Sequence, residues 1–321
     1  SYNGLLPCHL EASIRRLIIG TRGSTLAQHQ TRRIVKLLSE VAPGQQFDIH
    51  VVRTLGDRVQ SIPLHEFPST GIFVQDIGAQ LLAGKVDLAV HSLKDVPPGE
   101  TDRLLLASFP ERSDPRDVIV ARDGSRFAEL PPAARVGTSS TRRRAQLGAA
   151  RPDLTYCDDL RGNVDTRLNK LREGRYDAIV LAAAGLERLG RSSEISDYLS
   201  PEICLPDAGQ GTLVVQTRAD DAEVIDLVTR IDDPKVRATA LAERAVLEAF
   251  GGGCKVPVAA YARVEAELVK LQGLVATPDG TKIVRAALRG SVNQPIELGR
   301  RLWSLLVHQG AAELLLASPG G

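Results

Sequence analysis

The segment LIIGTRGS (residues 17–24) runs from three apolar residues through a glycine to a serine, and it indicates the fold class of this 321-residue chain. The apolar residues predict a short β-strand. Ser24 predicts the N-cap of the next helix, because a serine hydroxyl satisfies the free amides of a first helical turn. Ala27, Ile34 and Leu38 then recur at helical spacing. A strand that leads directly into an amphipathic helix is the unit of an α/β sheet, so we expect an α/β fold.

The same alternation continues along the chain in two successive stretches. Beyond the first helix, we expect strands at 47–52, 86–90 and 118–121 and a helix near 73–82. The segment VGTSST (136–141) again leads a strand into a helix, and GRYDAIV (174–180) echoes GKVDLAV (84–90). The echo has an alternative explanation, since junctions of helix, glycine and strand look alike in many proteins. Together the stretches predict two α/β lobes of similar build, with a ligand cleft between them.

The C-terminal part of the chain has a different pattern. A strongly amphipathic helix is predicted at 236–250, where glycines end it. Three strands should follow at 258–264, 269–276 and 282–289, with the turn PDG (278–280) joining the last two, and then a closing helix at 295–316 interrupted at Gly310. This pattern predicts a small α+β domain, and it places Cys254 on the loop between the helix and the first strand.

Composition and charge exclude several classes of protein. Hydrophobic residues make up 43% and charged residues 25% of the chain, and the net charge is +1, so nothing points to nucleic acid or a membrane surface. The four cysteines, at positions 8, 157, 204 and 254, have no metal-ligand spacing and are expected to be reduced thiols. The N-terminal stretch 1–13 lacks the pattern of a secretion signal. We therefore expect a cytoplasmic protein, or one in an organelle stroma or matrix if a leader was removed, without metal.

Two predicted helix starts resemble each other in their polar residues. Free amides and the helix dipole make such ends anion sites, and arginines hold carboxylates with two hydrogen bonds. The residues concerned are Thr21, Ser24, Thr138, Ser139 and Ser140, with Arg22, Arg142, Arg143, Arg161 and Arg167 nearby. The alternative is that each serine or threonine only caps a helix and each arginine only lies at the surface. As a set they predict a ligand with several carboxylates.

The segment HSLKDVP (91–97) follows a predicted strand, at the position where open α/β sheets bind ligands. Asp95 would then face the cleft and could hold a cationic nitrogen or transfer its protons, and Lys94 could balance negative charge. The alternative is an ordinary surface turn. In AGQG (208–211), glycines on both sides of Gln210 allow the chain to bend sharply or to approach a ligand.

Six segments in this order resemble the porphobilinogen deaminase family, whose members are also called hydroxymethylbilane synthases. They are GTR (20–22), HSLKDVP (91–97), GTSS (137–140), RGNV (161–164), GQG (209–211) and GGC (252–254). The resemblance covers nearly the whole chain and implies two lobes like those of periplasmic binding proteins plus a C-terminal domain. The implied domains are 14–110 with 212–230, 115–205, and 234–321.

The resemblance also implies a function. Members of the family join four porphobilinogen molecules head to tail, with loss of ammonia, on a dipyrromethane cofactor bound to a cysteine that matches Cys254, and hydrolysis then releases hydroxymethylbilane. Asp95 matches the catalytic aspartate. The implied cofactor-binding residues are Cys254, Lys94, Ser92, Thr138, Ser139, Ser140, Arg142, Arg143 and Gly162. The implied substrate-binding residues are Arg22, Ser24, Arg161, Arg167, Arg188 and Gln210. The expected protein is a monomeric transferase of tetrapyrrole and haem biosynthesis.

This chain departs from the family pattern in one loop. Glu66 and Thr70 stand where lysines are common in the family, and Thr25 replaces a usual proline. The loop therefore has less positive charge than expected over the cleft. This difference motivates an alternative function, a non-catalytic binding protein or sensor for carboxylated pyrroles on the same scaffold.

Overall fold

The computed structural model describes residues 15–52, 72–99, 103–251 and 256–316. The strands in these ranges are β1 (Leu17–Arg22), β2 (Phe47–Val52), β3 (Leu88–Ser92), β4 (Leu104–Ser108), β5 (Asp117–Ala121), β6 (Arg135–Gly137), β7 (Thr155–Cys157), β8 (Ala178–Ala182), β9 (Asp197–Tyr198), β10 (Leu213–Arg218), β11 (Val258–Glu265), β12 (Leu268–Ala276) and β13 (Ile283–Ser291). The α-helices are α1 (Thr25–Val41), α2 (Ile72–Leu82), α3 (Thr141–Ala150), α4 (Val164–Arg172), α5 (Ala183–Arg188), α6 (Ala222–Thr229), α7 (Pro234–Phe250), α8 (Pro295–Leu306) and α9 (Ala312–Leu316).

The first lobe is a sheet of five described strands in the order β2-β1-β3-β10-β4. Strand β1 is parallel to β2 and β3, whereas β10 is antiparallel to β3 and β4. Helix α1 packs its apolar stripe, including Ile34 and Leu38, on one face of the sheet. Ile77 and Leu81 of α2 cover other sheet residues in a separate core cluster. Ser24 caps α1 as predicted, since its hydroxyl accepts from Ala27 N at 3.2 Å.

The second lobe repeats this arrangement in the order β7-β6-β8-β5-β9 among the described strands. Strand β6 is parallel to β7 and β8, and β5 is antiparallel to β8 and β9. Strands β3 and β8 thus occupy the same central position, and each follows a glycine with positive φ, Gly84 at 67° and Gly174 at 76°. The predicted fold class of two similar α/β lobes is confirmed, and the echo between the two glycine-strand segments corresponds to equivalent strands.

The C-terminal unit is an antiparallel sheet, β11-β12-β13, covered by α7 and α8. Val246, Leu271 and Leu302 are fully buried in its core. The three predicted strands and the helix before them are confirmed. The closing helix is interrupted as expected, because Gly310 has φ 104° inside the turn Val307–Ala311 between α8 and α9.

The chain passes between the two lobes twice. Strand β10 lies in the first sheet although it follows the second lobe in sequence, so one crossing lies at 109–116 and the other at 205–212. The predicted domain limits remain a prediction. Some strand limits differ by one or two residues from those predicted. The strand expected at 86–90 is Leu88–Ser92, because Asp87 uses its side chain to accept from Ile18 N at 2.8 Å.

Some classes of feature are absent from the described part of the chain. None of its helices has the length and apolarity needed to cross a membrane. In the same residues there is no group of three or more His, Cys, Asp or Glu side chains that could hold a metal ion. Cys157 and Cys204 are free thiols. Cys8 lies outside the described residues.

Candidate active site

Asp95 lies at the edge of the first sheet where β1 and β3 end. Because parallel neighbouring strands end at the same edge, the segment after β3 meets the end of β1. Asp95 closes the short 3-10 turn Leu93–Asp95, and its Oδ2 lies 4.0 Å from Nη1 of Arg22. The two side chains are 38% and 23% exposed, so this carboxylate faces an open cleft and is accessible to a ligand.

Helix α7 of the C-terminal unit holds the residues that follow Asp95. Arg244 is buried, and its guanidinium donates to Val96 O at 3.1 Å and to Pro97 O at 2.8 Å. Burial lowers the pKa of Arg244 from its usual value, with Glu248 opposing this effect. Arg244 therefore restrains the backbone next to Asp95, a role that sequence reasoning missed.

A pocket opens beside Asp95 in the first lobe. Five predicted site residues line it, namely Arg22, Ser24, Ser92, Lys94 and Asp95. Gln30 and His91 line it as well, and no role was predicted for either. Gln30 had a signal in the sequence, because it lies four and eight residues before Ile34 and Leu38 and is thus a polar residue on an apolar helix face.

Lys94 has an exposed side chain, but its ammonium group is partly buried and reaches toward the second lobe. Its Nζ donates to Oε1 of Gln210 at 3.3 Å. Burial lowers the pKa of Lys94 from its usual value, and the charge of Arg143 lowers it further, while Asp95, Asp207 and Asp117 oppose both effects. An anion bound beside Lys94 would favour its charged form, so this ammonium group is suited to hold a carboxylate.

Gln210 lies on the second crossing between the lobes, and only 1% of its surface is exposed. Its Nε2 donates to Pro115 O at 2.7 Å and to Oδ1 of Asp117 at 2.9 Å. Gly209 and Gly211 have φ values of 76° and 83°, and a Cβ at Gly211 would lie 2.5 Å from a backbone oxygen. The glycines therefore allow the sharp bend that was predicted, and the bend points the Gln210 side chain inward.

Asp117 begins β5 and is fully buried between two arginines of α3. Arg142 Nη1 donates to its Oδ2 at 2.7 Å, and Arg143 Nε donates to its Oδ1 at 2.9 Å. Burial alone would raise the pKa of Asp117, but the two guanidinium groups outweigh burial and hold it well below its usual value. Asp117 was missed from the sequence, although a carboxylate at the start of an apolar strand is unusual enough to have been a signal.

The start of α3 has the predicted capping residues. Ser140 Oγ accepts from Arg143 N at 3.3 Å, and Thr138 Oγ1 accepts from Ser140 N at the same distance. Ser139, between them, is partly exposed. The prediction that these three residues bind a cofactor remains a prediction, and the acceptor oxygens of Thr138 and Ser140 already have backbone partners.

The predicted arginines of the second lobe form two groups. The first group lies within electrostatic reach of Asp95, and the second contacts the second crossing between the lobes. Burial lowers the pKa of Arg167 to about 10, and the charges of Arg143 and Arg161 add to this, while Asp95 of the other lobe opposes them. Arg167 Nε donates to Gly162 O at 2.8 Å. These second-lobe arginines therefore concentrate positive charge within electrostatic reach of Asp95.

Arg142 and Arg188 donate to backbone groups of the second crossing. Arg142 Nη1 also donates to Leu205 O at 2.7 Å, and Arg188 Nη2 donates to Gly211 O at 2.6 Å. Their predicted contacts with cofactor and substrate remain predictions. Cys254 and the loop residues from Glu66 to Thr70 lie outside the described residues.

Comparisons with known proteins identify the family of this chain. The family described as "Porphobilinogen deaminase, dipyromethane cofactor binding domain" matches residues 17–226, and "Porphobilinogen deaminase, C-terminal domain" matches residues 237–307. The porphobilinogen deaminase of Roseiflexus sp. (strain RS-1) is 48% identical over 93% of this chain and 98% of its own. The protein of that name from Acidothermus cellulolyticus is 45% identical over 95% of this chain and 93% of its own. A periplasmic binding protein of Salmonella typhimurium with high arginine specificity has a TM-score of 0.38 at 16% identity, over 68% of this chain and 91% of that one.

Proposed function

Because the chain belongs to the porphobilinogen deaminase family, we propose that the cleft between its lobes carries out the family's reaction with Asp95 as the catalytic carboxylate. The protein is a transferase that joins porphobilinogen units with loss of ammonia and uses a dipyrromethane cofactor. The observation that supports the role of Asp95 most directly is its position beside Arg22 in one lobe and within electrostatic reach of Arg167 in the other.

The charges around the cleft suit a dipyrrole. Each pyrrole unit derived from porphobilinogen has an acetate and a propionate, so a dipyrrole and its substrate are strongly anionic. Arg143, Arg161 and Arg167 lie close enough that the pKa of Arg167 is lowered to about 10, by burial and then by these neighbouring charges. A bound carboxylate would relieve this repulsion, and arginine binds carboxylates with two parallel hydrogen bonds. Lys94, Arg143 and Ser139 would hold the cofactor. When bound, it would supply the pyrrole carbon to which the first substrate unit is joined.

The residues of the first lobe act on the substrate. Arg22 binds a substrate carboxylate, and Asp95 holds the protonated amine before its C–N bond breaks and ammonia leaves. Asp95 then stabilises the positive charge left on the substrate, because a carboxylate already positioned beside the reacting group interacts favourably with a developing cation. After the new C–C bond forms, Asp95 accepts the proton lost from the pyrrole α-carbon.

Cys254 is the proposed attachment point of the cofactor. It follows three consecutive glycines in the sequence, which have no side chains to compete for space with an attached group. A thiolate can be alkylated once to a stable thioether, after which it serves as an anchor and does not turn over. We also propose that the enzyme works as a monomer in the cytoplasm.

Two measurements on purified protein test the assignment of Asp95 and Cys254. Intact mass should exceed the sequence mass by one dipyrromethane, and Cys254→Ser should remove this increment. Asp95→Asn should keep the increment but release ammonia from porphobilinogen about 100-fold more slowly or worse, since positioned acid–base groups contribute about that factor or more.

The control for Asp95 is Asp226→Asn, at an exposed carboxylate on α6 paired with Arg230. It should retain wild-type ammonia release. Wild-type ammonia release from Asp95→Asn would contradict the proposed role of that residue, and a wild type that binds porphobilinogen without releasing ammonia would favour the sensor function. The comparisons give no support to that alternative.

A further inference from the structure

Asp117 is connected through hydrogen bonds to residues of both lobes, although its own side chain does not line the cleft between them. Its side chain is fully buried, and it accepts hydrogen bonds from Arg142, Arg143 and Gln210. Cys204 Sγ donates to its Oδ2 at 3.3 Å as a fourth partner. A buried carboxylate with this many donors has its orientation determined by them, and in turn it fixes theirs.

Through two of these donors, Gln210 and Arg143, Asp117 is connected to charged groups that are proposed to hold the cofactor. Gln210, which donates to Asp117 through Nε2, accepts from Lys94 Nζ through Oε1, so the amide connects the second lobe to the first. Arg143 donates to Asp117 through Nε and to Val180 O through Nη1, which determines the plane of its guanidinium. Lys94 and Arg143 are thus both oriented by one carboxylate.

We propose that Asp117 is a positioning residue for the reaction: through Gln210 and Arg143 it fixes the ammonium of Lys94 and the guanidinium of Arg143 on opposite sides of the cleft. This inference rests on the proposed function. Asp117 has no exposed surface, so it contacts no ligand and acts only through its neighbours. Both ends of the Gln210 amide already have protein partners. The role of Gln210 in this arrangement is therefore to orient Lys94.

The charge of Asp117 has a second effect on Lys94. The charged groups that act on Lys94 are Arg143, Asp95, Asp207 and Asp117. Removing the carboxylate would leave Arg143 less compensated, and removing Gln210 would take away the hydrogen-bond acceptor of the ammonium. Both changes disfavour the charged form of Lys94 and loosen its position.

The test compares Asp117→Asn and Gln210→Leu with the control Asp114→Asn. Asp114 lies on the first crossing, three residues before Asp117, but it pairs with Arg116 and takes no part in the hydrogen bonds that connect Asp117 to Lys94. The readout is a 13C NMR titration of protein with [13Cε]lysine, in which the Lys94 signal is assigned by its loss in Lys94→Arg. The titration midpoint of Lys94 should fall by about one pH unit in both test variants and stay at the wild-type value in the control.

Steady-state kinetics provide the second readout. KM for porphobilinogen should rise about tenfold in both test variants with a smaller change in kcat, and the alkaline limb of kcat/KM should move to lower pH. The control should keep wild-type values of both. Gln210→Leu leaves the ion pairs of Asp117 in place, so it tests the proposal even if Asp117→Asn does not fold. An unchanged Lys94 midpoint and an unchanged KM in Gln210→Leu would overturn the proposal. The NMR titration needs no turnover, so its outcome is distinct from a failure of the proposed function.

Discussion

His91 is buried beside the pocket, and its Nε2 lies 3.2 Å from Oε1 of Gln216 on the neighbouring strand β10. Burial lowers the pKa of His91 to about 4, the hydrogen bond to Gln216 partly opposes this, and the charge of Arg22 lowers it further. His91 is therefore neutral at pH 7. Its position directly after the strand predicted at 86–90 gave no indication of this, because the charge state depends on groups from two other strands.

Because His91 is neutral in the folded protein, we expect the free energy of unfolding to fall in mild acid. Its folded-state pKa lies below the unfolded value of about 6.5, so the unfolded chain binds a proton first as the pH falls. The free energy of unfolding should therefore decrease between pH 6.5 and 4, by at most about 3 kcal/mol, and level off below. Urea denaturation at pH 7.0, 5.5 and 4.5 should show a shallower decrease for His91→Asn.

The control for this prediction is His29→Asn at an exposed position of α1. This variant should follow the wild-type profile. Parallel pH profiles for His91→Asn and the wild type would contradict the assignment of the acid loss to His91.

Helix α3 is one of the segments of the second lobe that contact the C-terminal sheet. Its first turn carries Arg142 and Arg143, and its buried side faces the sheet, where Ala145 packs with Leu274 in a shared core cluster. Gln146 Oε1 accepts from Arg285 Nη2 of β13 at 3.1 Å. The position of the C-terminal unit is thereby tied to the helix whose arginines hold Asp117.

The hairpin turn between β12 and β13 approaches helix α3 so closely that one methyl group added to the turn would disturb the contact between them. Gly280 has φ 73°, and a Cβ there would lie 2.1 Å from the backbone oxygen of Ala145. Gly280→Ala should therefore destabilise the protein by more than the roughly 1 kcal/mol expected for alanine at positive φ. Urea denaturation measures the loss.

Gly124→Ala is the matched control, because Gly124 also has positive φ, at 80°, but a Cβ there would have nothing within 4 Å. The difference between the two variants isolates the contact with α3. Equal losses of stability would show that the hairpin does not need its close approach to the helix.

At the scale of the whole molecule, Glu243 of α7 joins the C-terminal unit to both crossings between the lobes. It is fully buried and accepts from Arg112 Nη1 at 2.7 Å, and from the backbone amides of Gly209 and Ala262 at 2.6 Å each. Arg112 Nε donates in turn to Gln210 O at 3.1 Å. The ion pair between Glu243 and Arg112 therefore connects both crossings between the lobes to the C-terminal unit.

Glu243→Gln should cost about 3 kcal/mol or more of unfolding free energy. The amide cannot replace the charge that balances Arg112, and an arginine left mostly buried without its carboxylate is strongly unfavourable. Chemical denaturation provides the measurement. Glu248→Gln on the same helix is the control, since within the described residues the Glu248 side chain accepts one hydrogen bond, from Gly99 N at 3.3 Å in an exposed position. It should change stability by less than about 1 kcal/mol, and an equal loss in both variants would contradict the role of Glu243.

Local features of this protein were predictable from its sequence. The cap at Ser24, the glycine bends around Gln210 and the similar glycine-strand segments that lead into β3 and β8 all follow from interactions within a few residues, which sequence spacing records. The order of the six motifs was also sufficient to identify the family. Limits of single strands were less certain, as the shift to Leu88–Ser92 illustrates.

The partners of the charged groups were determined only by the tertiary structure. Arg142 and Arg143 were predicted to face a ligand, yet both donate to Asp117, which lies 25 and 26 residues earlier in the chain. Lys94 meets Gln210 across 116 residues. The physical reason is that helix caps and strand periodicity depend on neighbours in sequence, whereas the partner and the burial of a charge depend on which distant segments the folded lobes bring together.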